Sequence, residues 1–456
     1  MGRSRIDSGL DIGGTGEGKE RLGVDDLKKV IRYKSLAALF LVAFMIRMVF
    51  SLFIYDHPER VISPDSPLYI SLAESLLDSQ TFPSVFRTPV YPSFIALIYG
   101  VFGHFPQAVI MAQSFLDSLT AIFVIFICLE IFKKVRYAYG AGFLYAVTPF
   151  AVFYSNMILS ETLFTCILVA SVYFFIVFLD KRKMHYIVVS SVFLGAGVLC
   201  RPIALYLPLL LAPFIFMSGF RLRDRLIPCL ICLFSFSIIL IPWYMKNHYQ
   251  HEYWGISTVK DIDMFYYEAP AALMIRDNPL SVIQPAINEP LYIYQLYLWE
   301  RVRKKYGWRE KNQSDVIEDA KKNAILREEG NAIIKENIPI ILLSHTVGIG
   351  RTLCPYPPHF ENLTGSPVTI VRGFAFLLDV AITILSLSGI IAIVRGAPNT
   401  RVSKIATGAM IFLLFYFTFI PGIMGYSRFK IPVLPLICIF ASFGMGIIRR
   451  EIQRTK

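Results

Sequence analysis

The chain has 456 residues, of which 55% are apolar and only 17% charged, and its mean hydropathy is positive. A water-soluble domain of this size needs no such surplus to fill its core, so the composition excludes that class and points to a membrane protein. The formal net charge of +12 would suit a nucleic-acid partner, but the lysines and arginines stand in short clusters between apolar runs, the pattern of loops kept on the cytoplasmic side of a membrane.

The first residues, 1–33, are polar, Gly-rich and basic. No apolar stretch with a small-residue cleavage site precedes the long run after Lys34, so a removable signal peptide is not expected. Gly13 to Lys19 imitates a phosphate-binding loop, yet Glu20 stands where the magnesium-binding Ser or Thr belongs and no strand precedes it. A disordered cytoplasmic tail is the expectation.

Apolar runs of spanning or near-spanning length follow at 35–55, 107–131, 138–155, 158–179, 187–200, 203–220, 226–244, 370–394, 405–423 and 431–448. They predict an all-α polytopic protein with about ten transmembrane helices. With the tail in the cytoplasm, the inside loops carry Lys133, Lys134 and Arg136, then Lys181, Arg182 and Lys183, then Arg221, Arg223 and Arg225, then Arg395, Arg401 and Lys404. Arg449, Arg450, Arg454 and Lys456 put the C-terminus inside as well.

Every second loop is basic only if the number of crossings is even, so the weaker segments 90–103 and 337–353 are predicted as interfacial or re-entrant helices. Arg201-Pro202 divides 187–220, which is too long for one span, and suits a hairpin with Arg201 at its outer tip. The predicted organisation is a tail at 1–33, a transmembrane catalytic module at 34–244 with an outer loop at 56–106, an outer-face region at 245–369, C-terminal helices at 370–448 and a tail at 449–456. The region 245–369 is charged and helix-favouring around 296–336, and it holds two Asn-x-Ser/Thr sequons at Asn312 and Asn362.

Six of the seven cysteines, Cys128, Cys166, Cys200, Cys229, Cys232 and Cys438, fall in apolar runs, which leaves only Cys354 outside them and excludes a disulfide framework. Cys229 and Cys232 have C-x-x-C spacing, but their Leu, Ile and Phe neighbours indicate packing instead of redox chemistry.

The first outer loop reads Pro64-Asp65-Ser66-Pro67-Leu68-Tyr69 and then Phe86-Arg87-Thr88-Pro89-Val90-Tyr91-Pro92, so a carboxylate, a cation and paired aromatics meet at the membrane surface. Asp65 alone would read as a helix N-cap. Glu161 changes the weighing, because it opens an apolar helix after Ser155-Asn156, and a carboxylate in mid-membrane costs about 2.5–3.5 kcal/mol on insertion scales. At a helix N-terminus it also gains from the dipole. Asp117 and Asp379 lie inside apolar runs, where packing contacts and proton-sensitive sites are both open readings.

These landmarks resemble the C-type (GT-C) membrane glycosyltransferases, specifically the protein mannosyltransferase-like and aminoarabinose-transferase-like enzymes. The elements concerned, from about 40 to 448, are Asp65-x-x-x-Tyr69, Arg87-Thr88-Pro89-x-Tyr91-Pro92, Phe94 to Gly103, Ser160-Glu161, Cys200-Arg201-Pro202, Pro242-Trp243 with Asn247, and Tyr426-Ser427-Arg428-Phe429 before Pro432. The resemblance implies the GT-C fold, with interfacial helices in the first outer loop and a helical outer loop after the seventh span. It further implies inverting transfer of a sugar from a polyprenyl-phosphate donor to a lipid, glycan or protein acceptor on the non-cytoplasmic face of a bacterial or archaeal plasma membrane.

On that resemblance Asp65 is the expected general base, and Glu161 orients the acceptor or shares a metal. A divalent metal is an optional cofactor, with Asp65, Glu161, His57 and His251 as candidate ligands and His248 nearby; their spacing identifies no metal. Arg87, Arg201, Arg428, Lys246 and Arg351 are the candidates for binding the donor phosphate, a task suited to the arginine fork. Tyr69 and Tyr91 are the candidate substrate-binding aromatics. Where lipid A-modifying relatives carry an acidic-Lys-Pro-Pro element, this chain reads Phe86-Arg87-Thr88-Pro89, which weakens both the metal and the aminoarabinose expectations. No nucleotide-sugar fold or nucleic-acid partner is expected. The alternative from another class is a transporter or flippase of a lipid-linked saccharide, which predicts internal repeats; none is evident. A scaffold with a decayed site would have lost Asp65 and Glu161.

Overall fold

The computed structural model describes residues 33–55, 62–219, 221–283, 288–310, 316–353, 366–396 and 400–454. His57, Asn312, Cys354, Asn362 and the segment 13–19 lie outside them. The described residues are almost wholly helical. Helix α1 is Tyr33–Tyr55, α2 Ser66–Asp78, α3 Val90–Phe102, α4 Pro106–Phe132, α5 Val135–Val147 and α6 Pro149–Ser155. Then come α7 Glu161–Lys181, α8 Met184–Cys200, α9 Leu207–Ser218, α10 Leu222–His251, α11 Val259–Asp263, α12 Ala269–Asp277 and α13 Asn288–Tyr306. The chain continues with α14 Ala320–Glu336, α15 Ile338–Leu353, α16 Ser366–Val394, α17 Arg401–Phe419 and α18 Leu434–Arg454.

Among the described residues seven helices are long and apolar enough to cross a membrane: α1, α4, α7, α10, α16, α17 and α18, the last with the 3-10 turn before it. The other three predicted spans are shorter. The run 138–155 is split at Thr148, whose extended backbone (φ −65°, ψ 120°) is imposed by Pro149. Helix α8 and the segment 202–218 each extend about 25 Å at 1.5 Å per residue. Of the two weaker segments, α3 has 13 residues, too few to cross. Helix α15 meets α14 at a bend of 94°, and the two reach spanning length only as a bent pair.

Helices α4, α7 and α18 form the buried centre, whereas α1, α10 and α16 turn most of their apolar surface outward. The basic connections gather at one end of the bundle. There Ser403 donates to the carbonyl of Ile131 at 2.8 Å, Arg401 donates to that of Met217 at 2.7 Å, and Lys133 stands 3.9 Å from Asp180. The alternate connections meet at the opposite end, where the candidate residues collect.

Both intramembrane aspartates are paired. Asp117 receives Arg47 at 2.5 Å and the Tyr145 hydroxyl at 2.5 Å, while Arg47 also donates to the carbonyls of Ala43 (2.8 Å) and Ala146 (3.0 Å). Lys430 reaches Asp379 at 2.6 Å with its ammonium 3.9 Å from the centre of the Phe150 ring. These pairs join α1 to α4 and α5, and the segment before α18 to α16.

Removing one partner of a buried pair typically costs about 3–5 kcal/mol, because the other charge is left uncompensated. Arg47→Met should therefore lower the thermal stability of the purified protein in detergent, and adding Asp117→Leu should recover most of the loss. Equal melting of wild type and Arg47→Met would show that the pair does not hold α1.

Candidate active site

Asp65 occupies the N-cap position of α2, but its side chain makes no capping hydrogen bond. The start of α2 is held instead by Ser66, whose hydroxyl donates to the carbonyl of Ile158 at 2.8 Å and receives the Ser63 amide at 2.9 Å. The carboxylate is thereby free for cations. Its Oδ1 receives Arg87 at 2.6 Å and its Oδ2 lies 2.9 Å from Arg428.

Glu161, the first residue of α7, is sealed from solvent, with its side chain 1% exposed. Its Oε1 is held by Arg201 at 2.6 Å and by the Nε of Arg428; its Oε2 has no hydrogen-bond partner among the described residues. Arg428 thus bridges the two carboxylates, and Arg87 and Arg201 flank them. Two carboxylates and three guanidiniums leave one surplus positive charge. Arg87 and Arg201 keep 17% and 19% of their side chains exposed and Arg428 only 9%, so the two flanking guanidiniums are the ones an anion can reach.

Burial alone would raise the Asp65 carboxyl, but the Arg87 and Arg428 guanidiniums beside it outweigh that and hold it below the usual carboxylate range. Asp65 is consequently ionised at neutral pH and a weak proton acceptor.

Arg87 sits on the connection 79–89, which residues distant in sequence fix in place. Glu318 accepts from the Ser84 hydroxyl (2.8 Å) and from the amides of Val85 (2.9 Å) and Phe86 (3.2 Å). Ser257 donates to the Phe86 carbonyl, Thr258 to that of Val85 at 3.2 Å, and Thr88 to that of Cys200 at 3.1 Å. The guanidinium lies over the rings of Phe86 (4.6 Å) and Tyr69 (4.9 Å). Tyr69 stands 3.4 Å from the Ser160 hydroxyl and packs edge-on against Tyr91 at 4.8 Å. Tyr91 is fully buried and donates to Gln113 at 2.7 Å. It supports Tyr69 from behind, and the sequence expectation of a substrate contact there is replaced by a packing one.

Arg428 lies on the 3-10 segment Ser427–Val433. Lys430, two residues on, anchors that segment to Asp379. Gly422, just before it, adopts φ +55°, and a Cβ there would stand 2.7 Å from Glu268 Oε1 and 2.9 Å from His345. Gly348 on α15 lets that helix come this close to the turn, since a Cβ there would run into the Gly422 backbone carbonyl.

Two cations expected at the phosphate lie apart from the cluster. Lys246 donates to the Ser84 carbonyl at 2.9 Å, lies over Trp243 at 4.5 Å, and stands 3.5 Å from His251 Nε2. It shapes the loop that carries Arg87. Arg351 donates to the carbonyls of Val282 (2.6 Å) and Ile423 (3.1 Å). Of the proposed metal ligands, His57 lies outside the described residues, His251 is beside Lys246 and both Asp65 oxygens are occupied by guanidiniums. No group of three His, Cys, Asp or Glu side chains suited to a metal exists among the described residues, which therefore do not fit one. Glu318, Asp263, Glu268 and His345 were not picked out by the sequence, since nothing in the charged stretch 245–369 sets them apart from surface residues.

The almost wholly helical architecture of the described residues is the fold seen in C-type membrane glycosyltransferases. Residues 86–245 match the family model described as dolichyl-phosphate-mannose-protein mannosyltransferase. Among solved structures the chain is similar to the apo oligosaccharyltransferase of Archaeoglobus fulgidus, with a TM-score of 0.55 and 13% identity over 93% of this chain and 52% of that one. The same archaeal enzyme in complex with an inhibitory peptide and a dolichol-phosphate gives a TM-score of 0.54 at 11% identity, covering 92% and 52%. A looser likeness, with a TM-score of 0.36 at 14% identity, covering 90% and 78%, is to the Cupriavidus metallidurans ArnT bound to undecaprenyl phosphate. The chain spans about half the length of the archaeal structures it matches. A comparison with curated proteins found no match.

Arg428→Met should leave each carboxylate with one guanidinium and lower thermal stability by about 3–5 kcal/mol. It should also weaken binding of a polyprenyl phosphate, because Arg87 and Arg201 are then drawn toward the carboxylates that Arg428 no longer shares. Arg428→Lys should restore stability in part and binding less, because a single ammonium cannot span both carboxylates. Unchanged melting and binding in Arg428→Met would rule out the bridging role.

Proposed function

We propose that the protein transfers a sugar from a polyprenyl-phosphate donor to a lipid, glycan or protein acceptor on the non-cytoplasmic face of the cell membrane, with inversion at the anomeric carbon. The observation that carries this reading is the cluster in which Arg428 joins Asp65 and Glu161 while Arg87 and Arg201 remain partly exposed beside them. The dolichol-phosphate bound to the archaeal relative and the mannosyltransferase description of the matching family support a polyprenyl-phosphate sugar as donor. Apolar helices surround the cluster, so a lipid-linked donor could approach it from within the bilayer.

In the reaction the acceptor hydroxyl oxygen bonds to the anomeric carbon as the bond from that carbon to the phosphate oxygen breaks. The electron pair leaves with the polyprenyl phosphate. Arg87 and Arg201 supply fixed positive charge where negative charge grows, and Arg428 holds both carboxylates so that this geometry exists before the donor arrives. Asp65, the base expected from the sequence, is bound on both oxygens, a setting that favours its service as a clamp.

Purified protein given a polyprenyl-phosphate mannose and membranes of the producing organism as acceptor source should release polyprenyl phosphate. Asp65→Asn should reduce that release by about a hundredfold or more, the lower end for loss of a site charge in catalysis. Full release by Asp65→Asn would remove Asp65 from the site.

A further inference from the structure

Asp263 ends α11 at the point where the π-turn Met264–Glu268 begins. Its neighbours Asp261 and Ile262 are buried, but Asp263 is solvent-accessible although protein surrounds it, which places it in a recess open to solvent. Arg87 and Arg201 from the two flanking connections, Asp65 at the start of α2, and Glu268 and Tyr267 on the same turn all bear on its charge. Glu268 is itself engaged by His345 of α15 at 3.3 Å, and the other ring nitrogen of His345 faces the Phe419 carbonyl at 2.8 Å.

Asp65 and Glu161 each contact two guanidiniums. Asp263 makes no ion pair or side-chain hydrogen bond with any described residue, which leaves both its oxygens available to a ligand. π-turns recur at functional sites because the wider turn re-aims the side chains it carries. Here the turn follows one short helix after Ser257 and Thr258, which donate to the carbonyls of Phe86 and Val85 on the loop that carries Arg87, and Glu268 on the turn meets His345.

We propose that Asp263 is the proton acceptor of the transfer, with Asp65 and Glu161 acting as clamps on the guanidiniums. This inference rests on the polyprenyl-phosphate transferase reading. As the acceptor oxygen bonds to the anomeric carbon and the phosphate departs, the hydroxyl proton passes to an Asp263 oxygen and then to solvent. Burial and the neighbouring Glu268 push the Asp263 carboxyl up against the pull of Arg87 and Arg201, to about 7. A group titrating there is matched to accepting a proton near neutral pH, which Asp65 is not.

The test is the pH dependence of polyprenyl phosphate release from polyprenyl-phosphate mannose by full-length wild type, Asp263→Asn, Asp263→Glu and Asp65→Asn, with membranes of the producing organism as acceptor source. A base must be ionised to act, so wild-type kcat/KM should fall as the pH drops through about 7. Asp263→Asn should lose about a hundredfold or more in kcat, should lack that acid limb, and should bind undecaprenyl phosphate as the wild type does. Asp263→Glu should regain part of the rate and an acid limb. An Asp263→Asn protein that keeps the wild-type rate and limb overturns the proposal, as does a limb that vanishes only in Asp65→Asn. Release by the wild type with no effect at Asp263 would sink this inference alone, whereas no release by the wild type would sink the transferase reading and this inference with it.

Discussion

Arg428 is the contact on which the rest of the site depends. Its guanidinium is nearly buried and joins the carboxylate at the start of α2 to the one at the start of α7, residues brought together from opposite parts of the chain. Buried ion pairs stabilise little on balance, because desolvation offsets attraction, but breaking one is costly. Their value here is geometric: the two connections are locked in register with Arg87 and Arg201 left beside them. Lys430 on Asp379 and the close approach of α15 at Gly422 keep Arg428 where both carboxylates can reach it.

The architecture was largely legible in the sequence. Length and apolarity located the helices, and the alternating basic clusters assigned Lys133, Arg182 and Arg401 to one end, where the structure gathers them. One break was legible as well: Pro202 interrupts an apolar run where a helix ends, whereas the run 138–155 reads as a single span although Pro149 divides it. What composition could not give was the length of each crossing. The run 138–155 is split at Thr148 into two helices shorter than its apolar window suggested, because a proline fixes the backbone before it whatever the hydropathy around it.

The site was legible only in part. Asp65, Arg87, Glu161, Arg201 and Arg428 stood out as charge in or beside apolar sequence and through the resemblance to the glycosyltransferase elements, and the structure brings all five together. Lys246 and Arg351 were candidates of the same charge without a place in the family's elements, and both donate to backbone carbonyls. Side-chain direction decides between those fates, and a sequence does not state it. Glu318 and Asp263 were invisible for the opposite reason: in a segment already rich in charge, one more carboxylate carries no signal until the fold turns it inward. Asp117 and Asp379, left open by the sequence, resolve into ion pairs that join helices.

The account's central claim is that a lipid-linked phosphate sits on the guanidiniums beside Arg428. An electron cryomicroscopy structure of the full-length protein with undecaprenyl phosphate tests it most directly. The phosphate should lie within hydrogen-bond distance of Arg87 and Arg201, with the Asp65 to Arg428 to Glu161 bridge intact and the prenyl chain leaving between helices into the bilayer. A phosphate seated at Lys246 or Arg351, or no bound lipid at saturating concentration, would contradict it.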